Sequence, residues 1–278
     1  MPVGRSDAGT SGTGRWLDEI DLDPSTPWLR MGTTALGNEP WLVVDERRDE
    51  ELALKRHLYE TDPGSVYAAL DGTAGAAAEV LGLVLVAVGG EPEPGRPPLA
   101  DAGLRVQEDL CVVRRRADTW CLDAASLSFP SRWRLAEKLG RPLAAVHGPV
   151  PGYPTVLARR VDQLLDRLGP RPVRRRNWFV HPDGALHQPA PPPGGDPVVP
   201  RARCADDLFV RSERQTLRRL PASGAVLFTI RVQQAPLATL LADAARAEAF
   251  RRYLHEADPA DLAHRGLAPA QVAELRGL

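Results

Sequence analysis

The stretch Ala225–Val232, AVLFTIRV, is an almost unbroken run of β-branched and aromatic residues. Such side chains fit a pleated, half-buried surface better than a helix, so the run is predicted to be a strand. Asp207–Glu213, just upstream, is predicted as its neighbour. Arg105–Arg114 and Thr119–Leu127 are two more short apolar segments, separated by RRAD, and suit a hairpin. Arg176–Val180 adds a further strand.

Helical patterns surround these strands but do not alternate with them as βαβ units. Asp45–Tyr59 carries apolar residues near helical spacing among charges. Val66–Leu70 and Ala74–Val88 read as one or two Ala-rich helices. Pro130 ends a strand, and Ser131 is predicted to cap a helix through Trp133, Leu135 and Leu139 up to Gly140. Thr155 is predicted to cap an amphipathic helix that Gly169-Pro170 stops. Pro236 opens a long helix to about Leu254, and Pro269–Leu275 closes the chain. The fold class is therefore α+β: an antiparallel sheet with helices packed on it. Glu91–Pro98 and Ala190–Pro200 read as loops, the second one mobile. Residues 1–15 read as a disordered leader and 16–278 as a single domain.

Composition narrows the class of function. The chain has 278 residues, 35 Lys+Arg and 36 Asp+Glu, for a formal charge of -1. That balance weighs against binding nucleic acid through bulk charge. No run approaches the ~18 apolar residues of a membrane span, and the N-terminus has no signal-peptide core. Three cysteines, none in a C-x-x-C pair, indicate neither a zinc knuckle nor a disulfide framework, and a cytoplasmic home is expected. The phosphate-binding glycine loops, the nucleophile elbow and the H-E-x-x-H pair are all missing from the sequence.

Of six histidines, His147 differs. It follows the apolar segment Leu143–Val146 and precedes two prolines that fix the backbone. Such an imidazole is either a hydrogen-bonded core residue or an axial ligand to haem iron. His181 and His187 flank a polar turn; His255 and His264 are expected to be solvated. Arginines cluster at 114–116, at 174–176 and at Arg211, Arg214, Arg218 and Arg219, with Arg132 and Arg134 around Trp133. They form either a solvated face or a rim that grips carboxylates. Glu108 and Asp109 interrupt an apolar strand-like segment, so one of them should point inward. It then serves as a structural ion pair with an arginine, or as a group that binds an amine or relays protons.

Several longer strings resemble one family. They are QEDLCVV (Gln107–Val113), ASLSFPSRWRLAEKLGRPLAAVHGPVPGY (Ala125–Tyr153), VDQLLDRL (Val161–Leu168), RPVRRRNW (Arg171–Trp178) and RSERQTLRRLPASGAVLFTIR (Arg211–Arg231), with RMGTTALGNEPWLVVDE (Arg30–Glu46) upstream. Together, from about Trp28 to His255, they are similar to the haem-dependent oxidative N-demethylases. The resemblance implies a PAS-like curved sheet with flanking helices enclosing haem b. It implies oxidation of an amine with O2 and electrons from a separate flavin and iron–sulfur reductase. The family's I/V-H-x-P-V-P-x-Y pattern falls on Val146–Tyr153 and implies His147 as the iron ligand. Arg132, Trp133, Arg214, Arg218 and Arg219 are then expected around the cofactor, at least one arginine on a propionate. Glu108 and Asp109 are expected to meet the amine. Ser128 stands where many relatives carry Cys. A haem-binding sensor or carrier on the same fold is the alternative.

Overall fold

The computed structural model describes residues 14–277. Most of the expected leader, residues 1–13, lies outside them. Its end does not: Arg15 opens a short 3-10 helix, Arg15–Glu19, whose Trp16 and Leu17 are buried. In chain order the elements are β1 (Thr34–Ala35), α1 (Arg48–Thr61), α2 (Pro63–Val66), β2 (Tyr67–Ala69), α3 (Ala74–Val88), α4 (Pro98–Gly103), β3 (Asp109–Arg116) and β4 (Thr119–Ser126). Four short helices follow: α5 (Leu135–Lys138), α6 (Leu143–Val146), α7 (Tyr153–Val156) and α8 (Ala158–Arg167). Then come β5 (Val173–His181), α9 (Arg201–Asp207), β6 (Phe209–Arg219) and β7 (Val226–Pro236). The chain ends with α10 (Leu237–Leu241), α11 (Ala244–Glu256), α12 (Pro259–His264) and α13 (Pro269–Leu275).

The strands form one sheet in the order β1-β5-β6-β7-β3-β4-β2. Every pairing is antiparallel. The β6–β7 hairpin runs in register from Phe209↔Pro236 to Arg219↔Val226, and β7 returns beside β3. The α5–α8 segment joins β4 to β5 and lies across one side of the sheet, called here the crossover face. Cys111, Leu122, Ala125, Leu127, Ile230 and Val232 pack there against Leu135, Val146 and Leu186. Val113, Trp120 and Val226 meet Leu143, Leu165 and Leu168. On the opposite face Leu110, Val112, Ala124 and Leu227 meet α3 and α4, and Trp178, Val180 and Val210 meet the C-terminal helices. Fully burying one such side chain contributes about 1.5–3 kcal/mol, so both layers hold the sheet.

Several expectations are corrected. Tyr67–Ala69 is not helical but an edge strand on β4; the alanines had no partner in the sequence to reveal the pairing. Residues 105–108 precede β3 rather than belonging to it. Ser131 caps nothing: it bridges Gln188, and the helix there spans only Leu135–Lys138. The Thr155 hydroxyl donates back to the Gly152 carbonyl instead of capping α8. Arg211–Arg219 forms no solvated face of its own: it is part of β6, which lies inside the sheet between β5 and β7. The helix after Pro236 is broken at Asp243, whose carboxylate accepts the Arg246 N–H as the N-cap of α11. Among the described residues no helix is long and apolar enough to cross a membrane.

Candidate functional site

Strand alternation sorts the candidate residues by face. On β5 and β6 the crossover face receives Val173, Arg175, Asn177, Phe179, Glu213, Gln215 and Leu217, which are half-buried. Phe228 of β7 joins them and is also half-buried. The crossover segment leaves this part of the sheet incompletely covered.

His147 ends α6 above that face. Pro142 starts the turn, and the His147 N–H closes it on the Leu143 carbonyl. The same carbonyl accepts from Nδ1 at 2.9 Å. A carbonyl can only accept, so the proton sits on Nδ1 and Nε2 carries a free lone pair. Burial pushes the imidazole down to about 4, while the Leu143 contact works against it. Lys138 and Arg175 also act on the ring, and both are cationic. The ring therefore stays neutral near pH 7, the form that ligates a metal. Tyr153 stacks on it, with centroids 4.4 Å apart and planes at 14°. Gly152, at φ +77°, turns the chain so that Tyr153 can reach that position.

The other histidines are distinguishable. His181 is enclosed, with Nδ1 2.7 Å from Gln188 Oε1 and Nε2 3.5 Å from Ser131 Oγ. Burial pushes it down to about 3. His187 donates from Nδ1 to the Ser128 carbonyl at 2.8 Å, which also leaves its Nε2 unprotonated. His264 is not solvated as expected: it packs 5.1 Å from Trp28 and 5.7 Å from Phe179, and burial lowers it to about 4. His255 and His57 are exposed.

The arginine rim expected from the sequence is divided. Arg214 and Arg218 lie on the opposite face, Arg214 bonded to Glu39 and the Pro40 carbonyl and Arg218 over Trp41. A whole sheet separates them from His147. Arg219 is on the crossover face but donates to the Leu168 and Gly224 carbonyls and stacks on Trp120. Arg132, at φ +64°, pairs with Asp196 at 2.6 Å and so ties down the proline-rich loop. Trp133 is half-buried beside the Leu135 cluster with the Lys138 amine 4.4 Å above its ring. The arginine whose charge acts on His147 is Arg175, which the sequence offered only within a cluster of three.

Glu108 and Asp109 are both buried, and both are occupied. Glu108 accepts the Val43 N–H at 2.7 Å. Asp109 accepts the Ser128 and Phe129 N–H groups at 2.8 and 3.0 Å. Its cation is Lys55, 3.6 Å away, rather than an arginine. Lys55 also donates to the Glu108 and Gly103 carbonyls. Burial raises both carboxyls. Nearby, Arg231 holds Asp45 at 2.5 Å and Glu51 at 2.9 Å. These groups fasten α1 to β3 and β7, and their hydrogen bonds are made within the protein.

Sequence reasoning missed Lys55 because it sits in an ordinary-looking charged helix. It missed Glu213, a carboxylate on the crossover face that burial raises and that Arg211 and Arg175 oppose; its place in a strand was the available signal. Cavities of about 300 Å³, beside Arg56, Tyr59 and Arg105, and about 200 Å³, beside Asp45, Glu51 and Arg231, lie away from His147.

Among the described residues no three His, Cys, Asp or Glu side chains gather to hold a bare metal ion. Haem iron asks for one axial protein ligand, in an apolar surround with partners for two carboxylates. The donor set fits that demand: a neutral imidazole with a free Nε2, the apolar Leu135–Val146–Ile230 cluster, two cations that act on the ring, and sealed polar atoms without partners, Tyr153 Oη, Arg175 Nε and Arg211 Nε among them. A family model described as haem-dependent oxidative N-demethylase, alpha subunit-like, matches residues 89–272. The match begins after the resembling Arg30–Glu46 string and runs through β3 to α13, covering the sheet's five long strands and the crossover. The chain belongs to the haem-dependent oxidative N-demethylase alpha subunit-like family.

Proposed function

We propose that this chain binds one non-covalent haem b on the crossover face and uses it to demethylate an N-methyl amine oxidatively. The observation that carries this reading is the His147 tautomer: Nδ1 is committed to Leu143, and Nε2 is left for iron. The hydrogen bond orients the ring and fixes its tautomer, as second-shell contacts do at metal sites. An antiparallel sheet with a helical crossover on one side supports the PAS-like arrangement.

Bound haem supplies the oxygen chemistry once electrons reach it. The residues of this chain do the rest. His147 Nε2 holds the iron. Leu127, Leu135, Val146, Ile230 and Val232 keep water from the buried side. Glu213 is the carboxylate on this face that can offset the charge of a protonated amine. The amine leaves without its methyl group, which departs as formaldehyde, with O2 and reducing equivalents consumed. The free cysteines Cys111, Cys121 and Cys204 are all buried, and no C-x-x-C-H attachment motif is present. Acid-acetone should therefore extract the haem. Electrons are supplied by a separate flavin and iron–sulfur reductase, in keeping with an alpha subunit. A cytoplasmic location accords with the three unpaired thiols.

The test is oxygen uptake and formaldehyde release by the haem-loaded chain with an N-methyl amine. Both are expected with a reductase or chemical reductant present, and neither with NADPH alone. Haem loading without amine-dependent turnover would favour a carrier or sensor. No haem loading would remove the reading altogether.

A further inference from the structure

The segment that carries His147 also gathers positive charge. Residues 127–172, which join β4 to β5, hold eight Lys+Arg and three Asp+Glu, whereas the whole chain holds 35 and 36. Five of those arginines, Arg141, Arg159, Arg160, Arg167 and Arg171, are exposed and make no ion pair among the described residues.

Register and packing bring them together at one end of the sheet. Val226 pairs with both Val113 and Arg219, and Val173 pairs with Leu217. The β3–β4 turn, the end of β6 and the start of β5 therefore lie side by side, and Arg171 stands two residues before β5. Arg219 donates to the Leu165 and Leu168 carbonyls, which brings the end of α8, with Arg167, to the same place. Leu143 packs with Leu165 and Leu168, which sets Arg141 beside them. Arg160 and Arg167, seven apart, share one face of α8. The carboxylates of this end are partly spent. Asp123 is held by Arg114 and Arg116 at 2.7 and 2.9 Å, and Asp166 by Arg115 and Trp120. Exposed Asp118 and half-buried Asp162 are left against five free guanidiniums.

Unpaired charges of one sign on one face draw an oppositely charged partner and orient its approach. Little here suits a membrane or a nucleic acid. Val156 is the exposed large apolar side chain of the segment, Phe129 and Tyr153 are buried, and Trp133 lies under the Lys138 amine. The patch is on the side of the sheet where His147 stands, and the layer beneath it is a single helix, about 10–12 Å thick.

Resting on the haem reading above, we propose that the outer face of the crossover, centred on Arg159, Arg160, Arg167 and Arg171, docks the acidic surface of the electron-donating protein. The reduced donor loses one electron and ferric haem iron gains it, so the partner is a one-electron carrier with a carboxylate-rich face.

A plant-type ferredoxin, an acidic iron–sulfur protein, is the probe. It is titrated calorimetrically, at 50 and 300 mM salt, into wild type, an Arg159→Glu/Arg160→Glu/Arg171→Glu crossover variant and an Arg203→Glu/Arg251→Glu/Arg252→Glu control. The control reverses exposed charges on α9 and α11, across the sheet. Wild type should bind at low salt and weaken about 10-fold or more at high salt, which screens the field. The crossover variant should melt like wild type and bind about 10- to 100-fold more weakly, while the control binds normally. Haem-free and haem-loaded chains should bind alike. With haem loaded, reduced ferredoxin should shift the ferric Soret band about 10-fold more slowly in the crossover variant, whereas dithionite reduces both equally. Wild-type affinity in the crossover variant overturns the proposal, as does an equal loss in the control or no binding by wild type. A short DNA duplex that binds more tightly than ferredoxin through the same arginines assigns the face to nucleic acid and overturns it too. Docking without a difference in reduction rate denies the partner its role as donor. If no haem loads, the haem reading fails by itself, and the haem-free titration still decides whether the face takes an acidic protein.

Discussion

A lysine with no exposed surface joins α1 to the start of β3. Lys55 holds Asp109 and two carbonyls, and among the described residues no other cation lies within ion-pair distance of Asp109. Lys55→Met should therefore lower unfolding free energy by about 3–5 kcal/mol in urea, because Asp109 is left buried and unmet. A second change, Asp109→Asn, should recover part of it, whereas a loss under about 1 kcal/mol for Lys55→Met alone would show that water replaces the amine. That one of Glu108 and Asp109 turns inward was legible from two charges in an apolar segment; that both are buried was not. Their partner was not, since it comes from a distant helix whose pattern of charges looks solvated. His181 offers a second test. Burial holds its pKa at about 3, below the ordinary 6.5. Between those values the unfolded chain takes up a proton that the folded chain refuses, so this contribution is fully present above about pH 6.5 and is lost as pH falls toward 3. The slope approaches about 1.4 kcal/mol per pH unit. Buried carboxylates such as Glu108 act in the opposite sense, so the informative quantity is the difference from His181→Asn. Wild type should lose ground to that variant as pH drops from 6.5 to 4; parallel profiles would place a neutralising contact on His181 that the geometry does not show.

At the level of elements, the turn His147–Tyr153 decides where the imidazole and the phenol stand. Gly152 adopts φ +77°, and a Cβ there would come within 2.9 Å of Leu29 Cδ2. Gly152→Ala should cost about 1–2 kcal/mol from the left-handed backbone alone, and should weaken haem binding by disturbing the Tyr153–His147 stack. Unchanged melting and haem affinity would show that the turn relaxes freely. The strands were legible in proportion to their apolar content. AVLFTIRV announced β7, and QEDLCVV most of β3. The second half of β6, RQTLRR, is strand because β5 and β7 pair with it on both sides, and a charged sequence gives no local sign of that. Its arginines looked like one cluster. Alternation sends Arg214 and Arg218 to one face and Arg211 and Arg219 to the other, a division visible only once the strand was known. Tyr67–Ala69 and the broken helix at Asp243 show the same limit: propensity names the residues, and tertiary pairing names the element.

Across the whole molecule, the sheet serves as a partition. One face is closed by α3, α4 and the C-terminal helices and carries the Arg231–Glu51–Asp45 contacts. The other is covered by four short helices that leave half-buried sheet side chains, Arg175 and Glu213 among them, on the side where His147 and Tyr153 stand. Class and sheet type were legible because strand and helix patterns did not alternate. The location of the site was not, because it depends on which face the crossover takes, and Arg175 stood undistinguished among 174–176. The central claim is that iron is held by His147 Nε2 on that face. The most direct measurement is the low-temperature electron paramagnetic resonance and Soret spectrum of ferric protein carrying His147→Ala, with and without added imidazole. The expected result is a changed or lost ligand field that imidazole restores. A spectrum identical to wild type at full haem occupancy would contradict the assignment and move the ligand to His187.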